Sequence, residues 1–253
     1  MKISFVGAGP GAKDLITVRG KELIEKADII VYAGSLVNPA LLDYSKDSCE
    51  IYNSATMTLD EVMEIMISGF RAGKKIVRLH TGDPSVYGAI REQMDILKEN
   101  DIEYEVCPGV SALFGAAASL GLEYTLPGIT QTLIITRAEG KTSVPEMERL
   151  SNLAKAHASM AIYLSAGLLS TVSKQLIEGG YSEDTPAAIV YKATWLEEKI
   201  MYCTVGTLEK TGADNGIKNT AIILVGDVIN TTAYEKSRLY APDFSTGFRE
   251  ASK

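Results

Sequence analysis

Short apolar runs that alternate with helical patterns are the feature that most constrains the fold of this 253-residue chain. Four runs in the first half have the length and composition of buried strands: 2–6, 28–32, 75–79 and 103–107. Helical patterns follow them near 17–27, 58–72, 86–99 and 110–120. Apolar strands separated by helices form parallel sheets that are covered on both faces. We therefore predict an N-terminal α/β domain over 1–120 with a mostly parallel sheet.

The second half begins after a stretch of turn residues, 121–130, which contains Pro127-Gly128 and is predicted to be a linker. Five further strands are predicted, at 131–137, 159–165, 186–191, 199–206 and 220–226. Helical patterns lie near 146–156 and 167–178. The last two strands suggest some antiparallel pairing, so we predict a C-terminal α/β domain over 131–253 with a mixed sheet. Its tail is polar from about 231.

Charge and composition exclude several classes of protein. Lys plus Arg number 25 against 32 Asp plus Glu, a net charge of −7, which argues against a general nucleic-acid binder. No apolar run approaches the ~18 residues of a membrane span, and the N-terminus lacks the apolar core of a signal peptide. Cys49, Cys107 and Cys203 are far apart, which favours reduced thiols over disulfides or a zinc site. We expect a cytoplasmic protein without a metal, a membrane partner or a nucleic-acid partner.

Three glycine-bearing turns directly follow predicted strands. They are 7–11 (GAGPG), 80–88 (HTGDPSVYG) and 107–112 (CPGVSA). The carboxyl ends of parallel strands share one edge of a sheet, where open α/β sheets bind their ligands. Glycine lets the backbone approach a ligand closely. The three turns together predict a crevice lined by backbone groups.

Simpler interpretations exist for each turn alone. The first matches a dinucleotide-binding pattern, GxGxxA, but Pro10 lacks the N–H that a pyrophosphate would need. The second strand ends in Tyr32-Ala33-Gly34, without an acid to bind a ribose hydroxyl. A purely structural turn is the other alternative. Asp83 and Ser111 are each also explained as helix N-caps.

The order and spacing of GAGPG, TGDPSVYG and PGVSA resemble the tetrapyrrole methyltransferase family. The resemblance continues through MAIYLSA, TPAAIVYKATW and TAIILVGDVI, so it covers nearly the whole chain. The segment 32–39 and Ala193-Thr194-Trp195 are most similar to members of cobalamin (corrin ring) biosynthesis. The family implies two α/β domains with the active-site cleft between them, S-adenosyl-L-methionine as cofactor, S-adenosyl-L-homocysteine as product, and a homodimer.

The resemblance implies a set of cofactor-binding residues. By match to the family motifs they are Pro10, Thr81, Gly82, Asp83, Val86, Ser111, Ala112, Leu164, Ala193, Ala221 and Ile222. Several have no polar side chain, so we expect backbone N–H and C=O groups to recognise the adenine.

The tetrapyrrole substrate implied by the family is a polycarboxylate, so we expect cations near it. The substrate-binding candidates are Gly9, Gly11, Lys13, Ser35, Arg78, His80 and Arg137, and Arg19 and Lys141 are further cations to consider. His80, Arg137, Tyr32 and Tyr87 are candidates for positioning the substrate. No catalytic residue is assigned. Relatives that methylate uroporphyrinogen carry an aspartate where this chain has Ala33, so their acid/base pair cannot be transferred.

Methyl transfer from a sulfonium to an electron-rich carbon needs alignment of the two reactants more than acid/base chemistry. We therefore hypothesise that no single side chain is an essential base. Other functions stay open at this point. They are another tetrapyrrole C-methyltransferase, a nicotinamide oxidoreductase, a non-catalytic tetrapyrrole carrier, and a family member that methylates ribosomal RNA or a protein residue.

Overall fold

The computed structural model of the protein describes residues 1–252. The described residues form two compact units, one made of 1–119 with 192–199 and one made of 120–191 with 200–252. Each unit has its own five-stranded sheet. The α/β class with two sheets, predicted from the alternation of strands and helices, is confirmed.

The first unit has a fully parallel sheet with the strand order β3-β2-β4-β1-β5. Its strands are β1 (Ile3–Gly7), β2 (Ile29–Tyr32), β3 (Glu50–Asn53), β4 (Ile76–His80) and β5 (Tyr104–Cys107). Its helices are α1 (Val18–Lys26), α2 (Leu59–Arg71), α3 (Ile90–Glu99) and α4 (Ala112–Leu120). Alternate strand residues enter two separate apolar clusters, Val6 and Ile30 in one and Phe5 and Val31 in the other. Both sheet faces are therefore covered, as expected for a parallel sheet.

The second unit has a mixed sheet with the order β6-β7-β10-β8-β9. Its strands are β6 (Leu133–Arg137), β7 (Ser159–Tyr163), β8 (Pro186–Tyr191), β9 (Lys199–Thr204) and β10 (Ala221–Val225). Its helices are α5 (Leu150–Leu153), α6 (Leu169–Glu178) and α7 (Leu208–Asp214). β6 and β7 are parallel, whereas β10 is antiparallel to both β7 and β8. The predicted mixed character of this sheet is confirmed.

Three elements differ from the prediction for local reasons. β3 was not expected, because its sequence EIYN is short and half polar, as suits an edge strand. α7 was also not expected. The helix predicted from 86 begins only at Ile90, because Tyr87 and Ala89 adopt left-handed backbone angles, with φ of 57° and 49°. Asp83 is consequently not a helix N-cap.

The segment 192–199 packs with the first unit, although the sequence analysis assigns it to the domain 131–253. The reason is a set of hydrogen bonds. The backbone N–H of Ala12 donates to Oγ1 of Thr194 at 3.0 Å, and the Ser119 hydroxyl donates to the Glu198 carboxylate at 2.6 Å. The predicted domain boundaries and linker otherwise stay a prediction.

Candidate active site

The three glycine turns meet at the carboxyl edge of the parallel sheet. Gly9 and Gly82 exchange backbone hydrogen bonds of 3.2 and 2.9 Å, and the Ala8 N–H donates to the His80 carbonyl at 2.7 Å. A Cβ atom on Gly7 would lie 2.6 Å from the backbone of Gly109, so only glycine permits this approach. The convergence predicted from the sequence is confirmed. A side chain at these positions would separate the turns.

Asp83 connects the second turn to the third. Its Oδ2 accepts a hydrogen bond of 2.8 Å from the Gly109 N–H, and its Oδ1 accepts one of 2.9 Å from the Ser85 N–H. Burial raises the pKa of Asp83, but the hydrogen bonds from Ser85 and Gly109 outweigh it and hold the pKa below its ordinary value. Asp83 therefore contributes a negative charge where the three turns meet.

A cavity of about 290 Å³ lies next to the second turn and is lined by first-unit residues alone. Arg78 and His80, at the end of β4, line it, as do Thr81, Val86 and Tyr87 from the following turn. The cavity therefore joins substrate-binding candidates to cofactor-binding candidates. Tyr87 is 45% exposed.

Arg78 and His80 are both almost fully buried, with 6% and 4% exposure. Burial lowers the pKa of Arg78 to about 10, so it remains charged at neutral pH. Burial, and secondarily the charge of Arg78, lower the pKa of His80 to about 3, so its imidazole is neutral. The Arg78 Nε donates to Oε1 of Gln93 at 3.1 Å, and Nη1 donates to the Val31 carbonyl at 3.1 Å.

The segment 192–199 lies against the first turn. A Cβ on Gly11 would collide with the Trp195 ring and lie 2.6 Å from the Ala193 carbonyl oxygen. Glu198 accepts a hydrogen bond of 2.5 Å from the Thr194 N–H in addition to the one from Ser119. This brings Ala193, a candidate from the second half of the sequence, next to Gly11 of the first turn.

The cofactor-binding candidates are divided between the two units. Eight belong to the first unit: Pro10, Thr81, Gly82, Asp83, Val86, Ser111, Ala112 and Ala193. Leu164, Ala221 and Ile222 belong to the second unit, where Leu164 is 61% exposed with a φ of 53°. Left-handed backbone angles are uncommon at a leucine. The role of these three residues toward a cofactor stays a prediction.

Other substrate candidates have partners within their own units. Lys13 forms an ion pair with Asp43 at 3.3 Å and lies over the Tyr44 ring. Arg137 donates to the carbonyls of the loop that follows β6, including a bond of 2.7 Å to Ser143. Ser35 is exposed. Their roles toward a substrate stay predictions.

The geometry of the first turn disfavours the nicotinamide alternative. A dinucleotide fold places the pyrophosphate at the N-terminus of a helix that starts within the glycine turn. Here the turn is followed by a single 3-10 turn, Lys13–Leu15, and α1 starts only at Val18. The glycine turn therefore does not lead directly into a helix, as it does in a dinucleotide-binding fold.

Three residues of the site were not identified from the sequence. Asn38 donates a hydrogen bond of 2.9 Å to the Gly11 carbonyl. Gln93 accepts a hydrogen bond from Arg78, and Glu198 accepts one from the Thr194 N–H. Asn38 lies within the segment 32–39, Glu198 follows Trp195 closely, and Gln93 ends the extended family motif TGDPSVYGAIREQ (81–93), so motif membership was a usable signal for all three. The partner of Gln93 could not be predicted, because its bond to Arg78 depends on how α3 packs near β4.

Two kinds of site are missing from residues 1–252. No group of three or more His, Cys, Asp or Glu side chains is arranged to hold a metal ion. None of the described helices is long and apolar enough to cross a membrane.

The first unit has a parallel sheet with three interlocked glycine turns at its carboxyl edge, and the second unit has a mixed sheet. The profile of the tetrapyrrole (corrin/porphyrin) methylases matches residues 2–209, and the chain belongs to this family.

Similarity to individual relatives is highest for particular members of this family among the three described here. A Methanocaldococcus jannaschii protein described as a cobalt-precorrin-4 C(11)-methyltransferase is 52% identical over 252 residues, covering 100% of this chain and 97% of the relative. A solved cobalt precorrin-4 methyltransferase matches with a TM-score of 0.89 and 47% identity, over 91% of this chain and 96% of the other. A Thermus thermophilus uroporphyrin-III C-methyltransferase, solved with S-adenosylhomocysteine, shares the fold, with a TM-score of 0.78, 22% identity, and coverage of 90% and 99%.

Proposed function

We propose that this protein transfers a methyl group from S-adenosyl-L-methionine to carbon 11 of cobalt-precorrin-4, giving cobalt-precorrin-5, in cobalamin biosynthesis. The observation that carries the proposal is the 52% identity to the Methanocaldococcus jannaschii relative along the whole chain. The solved cobalt precorrin-4 methyltransferase supports the same substrate. Both names include cobalt, which favours the cobalt-containing form of the substrate over the metal-free form.

The first unit fits a cationic methyl donor. The glycines of the three turns carry no side chains, which lets the backbone of the turns pack closely and, in this proposal, lets a ligand approach it closely. Asp83 supplies the negative charge that a sulfonium or an ammonium group favours. In this proposal the first-unit candidates, from Pro10 to Ala193, bind the cofactor, and Leu164, Ala221 and Ile222 contribute from the second unit.

In the proposed reaction, the protein's own residues bind the methyl donor and the acceptor, orient them, and exclude water from around them. S-adenosyl-L-methionine supplies an electrophilic methyl group when it is bound. Backbone groups of the three turns hold the donor, and Arg78 and His80 hold the acceptor. Placing the reacting atoms about 3–3.5 Å apart and in line accounts for much of the rate enhancement. Among the described residues, His80 is the one histidine that lines the cavity, and burial lowers its pKa to about 3, so it is a weak base there, which supports a reaction without an essential protein base.

The test is an anaerobic incubation of the purified protein with S-adenosyl-L-methionine and cobalt-precorrin-4. The expected result is a tetrapyrrole whose mass has increased by one methyl group, with S-adenosyl-L-homocysteine formed in equal amount. A tetrapyrrole that binds but is recovered unchanged would instead indicate a carrier. The same incubation with precorrin-4 lacking cobalt measures the preference for the metal-containing substrate.

Calorimetry separates the proposal from the nicotinamide alternative. We expect heat of binding with S-adenosyl-L-homocysteine and none with NAD. Binding of NAD alone would contradict the proposal. The expected cytoplasmic location and homodimeric state belong to the same proposal, and size-exclusion chromatography with light scattering tests the dimer.

A further inference from the structure

We infer that the cavity beside β4 is a receptor for one carboxylate of the substrate, in which the guanidinium of Arg78 binds the anion and the imidazole of His80 forms a hydrogen bond with it. This inference rests on the proposed function and adds the place where one acidic side chain of the tetrapyrrole is held.

Arg78 is a buried cation without a counterion. It is 6% exposed, and its hydrogen bonds go to a neutral amide, Gln93, and a neutral carbonyl, Val31. Among residues 1–252 no aspartate or glutamate forms an ion pair with it. Burying an uncompensated charge is costly, so such a group is retained where an anion from outside completes it. A guanidinium has five N–H donors, and two of them occupy the bonds described, which leaves donors for a carboxylate.

His80 is the second unsatisfied group in the same cavity. Its Nε2 atom is buried and has no hydrogen-bond partner within residues 1–252. The ring stacks on Phe5 with centroids 6.1 Å apart, which fixes its plane. A neutral imidazole carries one N–H donor, and a carboxylate beside Arg78 would accept from it. A buried cation that forms no ion pair and a buried imidazole nitrogen that has no hydrogen-bond partner within residues 1–252 line one cavity, and they point to an anionic ligand that satisfies both.

The size and lining of the cavity suit an acetate or propionate group, not a macrocycle. Its volume of about 290 Å³ is small for a ligand pocket, and Leu36, Leu59 and Val62 supply apolar walls for methylene groups. Glu92 is the one carboxylate among the lining residues, and it is exposed to solvent and not paired with Arg78. The positive charge in the cavity is therefore not neutralised from within.

Gln93 holds the receptor in place. Its Oε1 accepts from Arg78 and its Nε2 donates to the Ala89 carbonyl at 3.0 Å, just before α3 begins. A glutamate at position 93 would give Arg78 an internal carboxylate of nearly the same shape. The variant Q93E therefore removes the need for an external anion while Arg78 stays in place.

The experiment measures the dissociation constant of cobalt-precorrin-4 by quenching of the single tryptophan, Trp195, without a methyl donor. The variants are R78Q, R78K and Q93E, and R91Q is the matched control, because Arg91 is an exposed arginine on the same helix as Gln93. We expect R78Q and Q93E to weaken tetrapyrrole binding at least about tenfold, because each variant removes a charge-assisted hydrogen bond between Arg78 and the substrate. R78K should weaken it less, because it keeps the charge but not the planar fork. R91Q should stay within about twofold of the wild type.

The affinity for S-adenosyl-L-homocysteine should stay within about twofold in every folded variant. Unchanged tetrapyrrole affinity in R78Q and Q93E would overturn the inference, as would a loss confined to S-adenosyl-L-homocysteine. Acetate and inorganic phosphate are tested separately by thermal shift. Stabilisation of the wild type but not of R78Q by these ions, with equal tetrapyrrole affinities, would make the cavity a free-anion site and also overturn the inference.

A failure of the proposed methyl transfer gives a different result from a failure of the carboxylate receptor. A wild type that binds the tetrapyrrole through Arg78 but transfers no methyl group would leave the receptor standing and remove the activity. A wild type that does not bind the tetrapyrrole at all would remove both.

Discussion

At the scale of single residues, the site depends on positions where a side chain is missing. Gly7 ends β1 and Gly109 lies in the turn after the adjacent parallel strand β5, and together they allow their turns to touch. A Cβ atom on Gly109 would lie 2.8 Å from the Gly7 Cα and closer still to the Gly82 carbonyl oxygen. This contact arranges the backbone groups that are proposed to hold the cofactor. Adding one methyl group at Gly109 therefore tests whether the contact is needed.

The variant G109A is expected to lower the free energy of unfolding by about 1–3 kcal/mol, because overpacking forces the backbone to shift. It should also weaken binding of S-adenosyl-L-homocysteine at least about tenfold. Denaturant unfolding and calorimetry measure the two effects. The control G247A should change neither, because nothing lies within 4 Å of a Cβ atom at Gly247. Equal affinities in G109A and the wild type would contradict the assignment of the turns.

His80 makes stability depend on pH. Its pKa is about 3 in the folded protein and near 6.5 when unfolded, so between these values the unfolded chain binds more protons. The free energy of unfolding therefore falls as the pH drops below about 6.5. The variant H80L lacks this effect, so between pH 7 and pH 5 the wild type should lose about 2 kcal/mol relative to H80L. Urea unfolding at the two pH values measures the difference, and a difference independent of pH would rule out a buried neutral His80.

Residue roles could be predicted from the sequence only where a motif carried them. Asp83 was identified within TGDP, although its actual partners are Ser85 and Gly109 and not a helix N-terminus. The missing counterion of Arg78 could not be predicted, because it depends on which side chains of α3 and β2 surround β4. Burial of a cation is a property of the packed unit and not of the local sequence.

At the scale of elements, the segment Lys192–Lys199 packs with the first unit, whereas the sequence predicts it in the C-terminal domain, 131–253. Lys192 and Thr194 adopt left-handed angles, with φ of 47° and 67°, so the chain turns sharply there. Glu198 then accepts hydrogen bonds from Thr194 and Ser119, which attach the segment to the first unit. We therefore expect Glu198 to hold Ala193 against the first glycine turn.

Replacing Glu198 tests this attachment. The variant E198Q should lower the free energy of unfolding by about 1.5–3 kcal/mol, the range for hydrogen bonds to a charged group. It should also weaken S-adenosyl-L-homocysteine binding, because Ala193 is a cofactor-binding candidate. The adjacent variant E197Q is the matched control. Glu197 is exposed and pairs with Lys192 at 3.6 Å, so the change should be below about 1 kcal/mol. Equal effects of the two variants would contradict a special role for Glu198.

Strands were easier to predict than helix boundaries. Nine of the strands correspond to predicted runs that are rich in apolar residues, because strands in a covered sheet need mostly apolar side chains. β3 was missed because an edge strand carries polar residues, and its Ile51 is exposed. The start of α3 was misplaced because positive φ angles at Tyr87 and Ala89 follow from the turn's packing and not from residue type.

At the scale of the whole molecule, membership of the tetrapyrrole methylases and the three glycine turns both favour the proposed methyl-donor site. A ligand that binds the folded state alone stabilises it by RT ln(1 + L/Kd), where L is the free ligand concentration and Kd its dissociation constant, and so raises the melting temperature. We expect S-adenosyl-L-homocysteine at one hundred times its dissociation constant to stabilise the protein by about 2.7 kcal/mol. NAD at the same concentration should have no effect. Differential scanning fluorimetry measures both, and stabilisation by NAD instead would favour the oxidoreductase alternative.

The position of the new methyl group tests the central claim most directly. Cobalt-precorrin-4 is incubated with the protein and S-adenosyl-L-methionine labelled with carbon-13 in the methyl group, and the product is analysed by NMR. The account predicts one labelled methyl resonance whose long-range couplings assign it to carbon 11. A label on any other ring carbon, or a protein that binds both reactants and transfers no label, would contradict it.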